Sequence, residues 1–205
     1  MTTAVCFDLD GTLVHRTAPH ETVTRAVLAD HGIEADDAIV TTAQERFRAA
    51  QNALEPNPFE RSMRAVLDET GRDGDPEAMV ETLRERAYAT TTVPEAAADC
   101  LDALAADGPL GLVTNGTRDW QLGKLAHHGL AESFDAVVTS YEAGAHKPDS
   151  APFDLLRERL PADEYVMVGD DSEADVVGAR GAGFVPIHYE ETDGPSFWAT
   201  LRAMV

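Results

Sequence analysis

Apolar positions along the chain fall into two regimes. Five short stretches, 4–7, 109–113, 134–138, 165–168 and 184–187, are apolar at every position but Asp135. Runs of this length and character read as strands covered on both faces, as in a parallel sheet. Each of the last four is reached through a helix-like segment, at 94–106, 117–128, 152–160 and 172–180. Strand alternating with helix predicts a parallel α/β sheet. Residues 15–93 follow the other regime, reading as helix after helix over 21–31, 36–54, 59–69 and 77–89, broken by EPNPF and GRDGDP. Because this stretch lies between the first strand and the rest, it predicts a helical insertion that leaves the sheet after strand one and returns before residue 94.

Length adds little to this picture, since 205 residues suffice for one full core and a smaller insert. Charge adds more. Sixteen Lys and Arg stand against 37 Asp and Glu, a formal net of -21, and only Lys124 and Lys147 are lysines. Such a surface repels itself in dilute salt, which suggests a halophilic setting. With no basic run in the chain, nucleic acid is not expected as a partner. No stretch approaches the eighteen or so apolar residues of a membrane span. The opening MTTAVCFDLD has neither a cationic region nor a long apolar one, so the expectation is a soluble, cytoplasmic protein in which Cys6 and Cys100 are reduced and packed.

Ligands of open parallel sheets bind beyond the carboxyl ends of the strands. After the first strand come Asp8 and Asp10, in the run VCFDLDGT; after the second, TNGT, with Thr114, Asn115 and Gly116; after the third, Lys147; after the fourth, GDDSEAD, with Asp170, Asp171 and Asp175. Residues i and i+2 of an extended segment point the same way, so Asp8 and Asp10 can address one ligand. Read singly, each motif has a plainer account. Asp8 and Asp10 suit an Asp-Gly turn in which carboxylates cap amides, Asn115-Gly116 suits a tight turn with Thr117 capping a helix, and Ser172 to Asp175 spells a weak capping box. Lys147 resists such a reading, because a lysine in a chain of fourteen arginines suggests a need for a compact ammonium.

Together and in this order, the four motifs resemble the haloacid dehalogenase superfamily of aspartate-nucleophile hydrolases, in its phosphatase branch. The resemblance covers 1–14 and roughly 94–205, while 15–93 resembles the family's cap in position and helical character only. It implies an α/β fold with a Rossmann-like parallel core and a smaller all-α cap domain. It also implies a Mg²⁺-dependent phosphatase acting on a small phosphate monoester, such as phosphoglycolate, a nucleoside monophosphate or a sugar phosphate. Asp8 would be the nucleophile and form an aspartyl phosphate; Asp10 would be the general acid and base and offer its backbone carbonyl to the metal. Thr114, with Asn115 and Gly116, would bind phosphate, and Lys147 would sit between nucleophile and phosphate. Asp8, Asp10 and Asp170 would hold the metal, with Asp171 and Asp175 as alternative or outer ligands; Asp171 stands where relatives often carry Ser or Thr. Arg16, leaving the first motif, is a candidate substrate contact. A phosphomutase, a 2-haloacid dehalogenase and a non-catalytic binding module are the alternatives. Asp10 speaks against dehalogenation, which needs no acid at that position.

Overall fold

β1 (Thr3–Phe7) carries no charged side chain, and its residues divide cleanly between the two sides of a sheet. Val5 and Phe7 join one buried cluster and Ala4 and Cys6 the other, the alternation that a strand's two-residue period imposes. The structure is a computed structural model and describes residues 1–205 apart from the side chain of Asp193.

Four further strands, β4 (Leu110–Thr114), β5 (Ala136–Thr139), β6 (Glu164–Gly169) and β7 (Val185–His188), complete a five-stranded sheet in the order β5-β4-β1-β6-β7. Every pairing is parallel. One face is closed by α5 (Glu95–Asp107), α6 (Arg118–His127) and α10 (Pro195–Met204), which contribute Leu101, Leu125 and Trp198 to the cluster around Phe7. The other is closed by α8 (Ala151–Arg159) and the short α9 (Gly178–Gly181), with Phe153, Leu156 and Ala179 packed on Cys6 and Met167. A parallel sheet covered on both faces is the arrangement that consecutive apolar positions demand. Burial pushes the Cys6 thiol up to about 12, so it behaves as a small apolar group.

The register sets the site. Phe7 lies opposite Leu112 on one side and Val168 on the other, and Thr114 opposite Thr139. Asp8, Thr114 and Asp170 therefore emerge at one edge of the sheet.

Residues 16–91 form the second compact unit, contiguous in sequence, whereas the sheet unit joins Met1–His15 to Thr92–Val205. Its helices are α1 (His20–Asp30), α2 (Asp37–Asn52), α3 (Pro58–Thr70) and α4 (Pro76–Ala89). Val27, Val40, Met63, Val66 and Met79 are buried at helical spacing. The helix ends follow local chemistry: the Asp36 carboxylate accepts from the Ile39 amide, the Asp75 carboxylate from that of Glu77, and Gly71 ends α3 in the left-handed conformation. Arg46 and Arg61 both pair with Glu55 inside this unit. Short strands β2 (His15–Arg16) and β3 (Thr91–Thr92) pair where the chain passes out of the sheet unit and returns. No helix among the described residues is long and apolar enough to cross a membrane.

Two elements go beyond the sequence pattern. The helix expected over 172–180 is divided into a π-helical turn, Ser172–Val177, followed by α9. Wider turns of this kind recur at functional sites, and this one directs Asp175 inward. The C-terminal α10 was not indicated by periodicity, yet its Trp198 and Leu201 are almost wholly buried.

Phe153 is fully buried against Phe184, with ring centroids 5.3 Å apart. Phe153→Ala is expected to lower unfolding free energy by about 3–5 kcal/mol through lost burial and a residual cavity. Urea denaturation monitored by circular dichroism measures it.

Candidate active site

The site is built around a buried ammonium. Lys147, 4% exposed, donates to Asp8 Oδ1 at 2.7 Å, to Asp175 Oδ1 at 2.5 Å and to the Val113 carbonyl at 2.7 Å. Three donors thus meet three acceptors. The loop carrying Lys147 is held in turn by Asn115, which accepts from the Lys147 amide at 2.9 Å and donates to the Lys147 carbonyl at 3.2 Å. Burial disfavours the charge on Lys147, but Asp8 and Asp175 outweigh it and hold the ammonium above its ordinary range. Burial pushes Asp8 up to about 7, against the opposing pull of Lys147 and with the help of repulsion from Asp175.

Asp10 is held separately. Its Oδ1 accepts from Lys124 at 2.5 Å and its Oδ2 from the Gln121 amide at 2.9 Å, both on α6. The same amide nitrogen donates to the Thr114 hydroxyl at 2.7 Å, and Lys124 also donates to Gln121 Oε1 at 3.0 Å. Thr114, Gln121 and Lys124 are all buried.

Asp170 faces the first strand's exit. Its amide donates to the Thr12 hydroxyl at 3.0 Å, and the hydroxyl lies 3.1 Å from Asp170 Oδ1. Gly11, at φ +94°, leaves the space beside this carboxylate; a Cβ there would fall 2.3 Å from Asp170 Oδ2. Gly169 does the same for Asp175, whose carboxylate carbon would lie 2.3 Å from an added Cβ. Burial raises Asp170, with the Thr12 hydrogen bond opposing it.

Carboxylate oxygens of Asp8, Asp170 and Asp175 all lie within 4.8 Å of one another. Three carboxylates with one ammonium paired to two of them leave negative charge uncompensated when all are ionised, and hard oxygen donors in this density fit a hard divalent cation. Asp175 is the least available of the three, since Oδ1 meets Lys147 and Oδ2 accepts from the Asp171 amide at 3.1 Å. Asp8 and Asp170 are the ligands the arrangement suits best.

The other residues singled out in the sequence are placed as follows. Asp171, expected as an alternative ligand, turns its carboxylate to the amides of Glu173 and Ala174 as the cap of the π-helical turn. Asp175 therefore does not act in a capping box. The Gly116 amide, expected to bind phosphate, donates at 3.0 Å to the hydroxyl of Ser140, the first residue of the short α7 (Ser140–Ala143), and the Asn115 side chain is engaged with Lys147. Thr117 occupies the cap position of α6 without a side-chain cap. Arg16 is exposed and belongs to the helical unit. Gln121 and Lys124 were not picked out from the sequence. The signal existed, because Lys124 shares with Lys147 the rarity that singled out the latter.

The parallel sheet thus presents two aspartates after its central strand and, at the same edge, a threonine, a lysine and an acidic pair. The family model of the haloacid dehalogenase-like hydrolases matches residues 2–183, and the chain belongs to that family. It is 31% identical to a ribulose-1,5-bisphosphate 5-phosphatase of Halopiger xanaduensis over 94% of this chain and 87% of that one. It is 27% identical to the fructose-1-phosphate phosphatase YqaB of Escherichia coli, over 86% and 90% of the two chains. Among solved structures, a 2-haloacid dehalogenase from Pseudomonas syringae pv. Tomato matches with a TM-score of 0.73 at 26% identity, covering 92% of this chain and 86% of that one.

Asp8 links the site to stability. Because its folded value of about 7 lies above the ordinary 3.8, the folded state binds the extra proton between those values, and metal-free protein loses stability as pH rises through that window. Asp8→Asn cannot ionise and leaves Lys147 paired with Asp175. In EDTA, the Tm of Asp8→Asn minus that of wild type is expected to grow from pH 4 to pH 7 and then level off. Differential scanning fluorimetry across that range checks it.

Proposed function

We propose that the protein is a Mg²⁺-dependent phosphatase that hydrolyses a small phosphate monoester through an aspartyl phosphate on Asp8. The observation that carries this reading is the division of labour between the two aspartates of the first motif. Asp8 is tethered by Oδ1 to a buried ammonium within an acidic cluster, while Asp10 is held apart by Lys124 and Gln121. A carboxylate fixed by one oxygen offers the other for attack, and the second carboxylate, anchored on α6, is the group assigned to exchange a proton.

In this reading Asp8 Oδ2 attacks phosphorus, the bond to the substrate's bridging oxygen breaks, and Asp10 gives that oxygen a proton. Asp10 then takes a proton from water as the water oxygen attacks phosphorus, the bond to Asp8 breaks, and inorganic phosphate leaves. Thr114 donates its hydroxyl proton to a phosphoryl oxygen. Lys147 keeps Asp8 oriented and offsets charge beside it. Asp8 and Asp170 would hold Mg²⁺, which supplies neutralisation of phosphoryl charge. The acid at position 10 favours phosphoryl transfer over displacement at carbon, the reaction named for the Pseudomonas dehalogenase. The phosphatase names carried by the Halopiger and Escherichia relatives support the same choice. Return of the phosphoryl group to substrate, as in a mutase, would use the same groups. Residues 15–93 would act as a cap that excludes water and selects the substrate.

A screen of phosphate monoesters, sugar phosphates and phosphoglycolate included, is expected to show phosphate release that EDTA stops and Mg²⁺ restores. Asp8→Asn is expected to lower kcat about a thousandfold or more. Undiminished turnover in that variant would overturn the nucleophile. With a net charge of -21, thermal stability is expected to rise between low and molar KCl, and equal Tm values in the two would contradict a halophilic surface.

A further inference from the structure

Hydrogen-bond polarity around Gln121 is fully determined by its neighbours. An ammonium only donates, so the amide oxygen must face Lys124, at 3.0 Å. The amide NH₂ then faces the other way, toward Asp10 Oδ2 at 2.9 Å and the Thr114 hydroxyl at 2.7 Å. A carboxylate accepts, which agrees with that orientation independently. Since the Thr114 oxygen receives a proton from Gln121, its own single proton is directed to some other acceptor. All three side chains on this path, Thr114, Gln121 and Lys124, are at least nine-tenths buried, so water does not freely reorient them. Gly116 makes room for the amide, because a Cβ there would lie 3.3 Å from the Gln121 side chain.

We propose that Gln121, its amide oriented by Lys124, is a positioning residue that presents the Thr114 hydroxyl as a hydrogen-bond donor to a phosphoryl oxygen. The inference rests on the phosphatase reading above and extends it to two residues of α6. Preorganisation of this kind removes the need for the hydroxyl to rotate when the anion arrives.

The test is a double-mutant cycle read by competitive inhibition with inorganic phosphate, using p-nitrophenyl phosphate as substrate and saturating Mg²⁺. Gln121→Met is expected to raise the Ki for inorganic phosphate about fivefold in the otherwise wild-type protein. In the Thr114→Val background the same change is expected to leave Ki within about twofold, because there is no hydroxyl left to orient. Thr114→Ser keeps a hydroxyl and is expected to keep the sensitivity. Gln121→Glu supplies a second, near-isosteric cycle should the methionine variant fold poorly, and it is expected to show the same non-additivity. Equal fold changes in the Thr114 and Thr114→Val backgrounds, in a wild type whose turnover depends on Asp8, would overturn the inference alone. A wild type that neither releases nor binds phosphate would overturn the reading of the site, and this inference with it.

Discussion

A buried ammonium between two buried carboxylates is the constraint around which the sheet edge is arranged. Removing Lys147 would leave Asp8 and Asp175 facing each other in a low-dielectric pocket, and a single unpaired buried charge typically costs several kcal/mol. The neighbours follow from protecting this contact. Asn115 grips the backbone of Lys147 from both sides, the Val113 carbonyl takes the third proton, and Gly169 lacks a side chain because the Asp175 carboxylate needs the space. Asp171 closes the π-helical turn that brings Asp175 inward. The apolar strands beneath give these polar groups fixed points of attachment, and the edge above them collects charge that a rigid sheet can hold in place.

Lysine usage ties the sequence to this arrangement. Both lysines of the chain are buried, and each pairs with one aspartate of the first motif: Lys147 with Asp8 and Lys124 with Asp10. The other cations are arginines, which form pairs such as Arg25 with Asp37 and Arg86 with Asp30. A slender ammonium fits between closely spaced carboxylates where a planar guanidinium needs a wider, two-pronged seat. The chemistry of the two cations thus separates the interior from the surface.

How much of this could be read from sequence differs by element. The five strands were legible because each is apolar at consecutive positions, and the helices of 15–93 because their breaks are spelled out by Pro and Gly. Family membership was legible in the ordered motifs, and the match over residues 2–183 agrees with it. Lys124 was missed for a physical reason: within a helical pattern a lysine reads as an exposed face, and only the packing of α6 on the sheet turns it inward. The contacts of Gly116 with Ser140 and of Asn115 with Lys147 were not legible, because those partners lie 24 and 32 residues away. Asp175 looked like a cap because local spacing favours Ser172, whereas the neighbouring Asp171 takes that duty.

The order of the strands also bears on how the chain is made. β1 is central, yet the strands that flank it begin at residues 110 and 164. During synthesis from the N-terminus, the segment bearing Asp8 must wait, unpaired and apolar, while the contiguous helices of 16–91 emerge and condense on their own local contacts. The strand that leads into Asp8 thus precedes both of its sheet partners in chain order and pairs only after the intervening helices have been made.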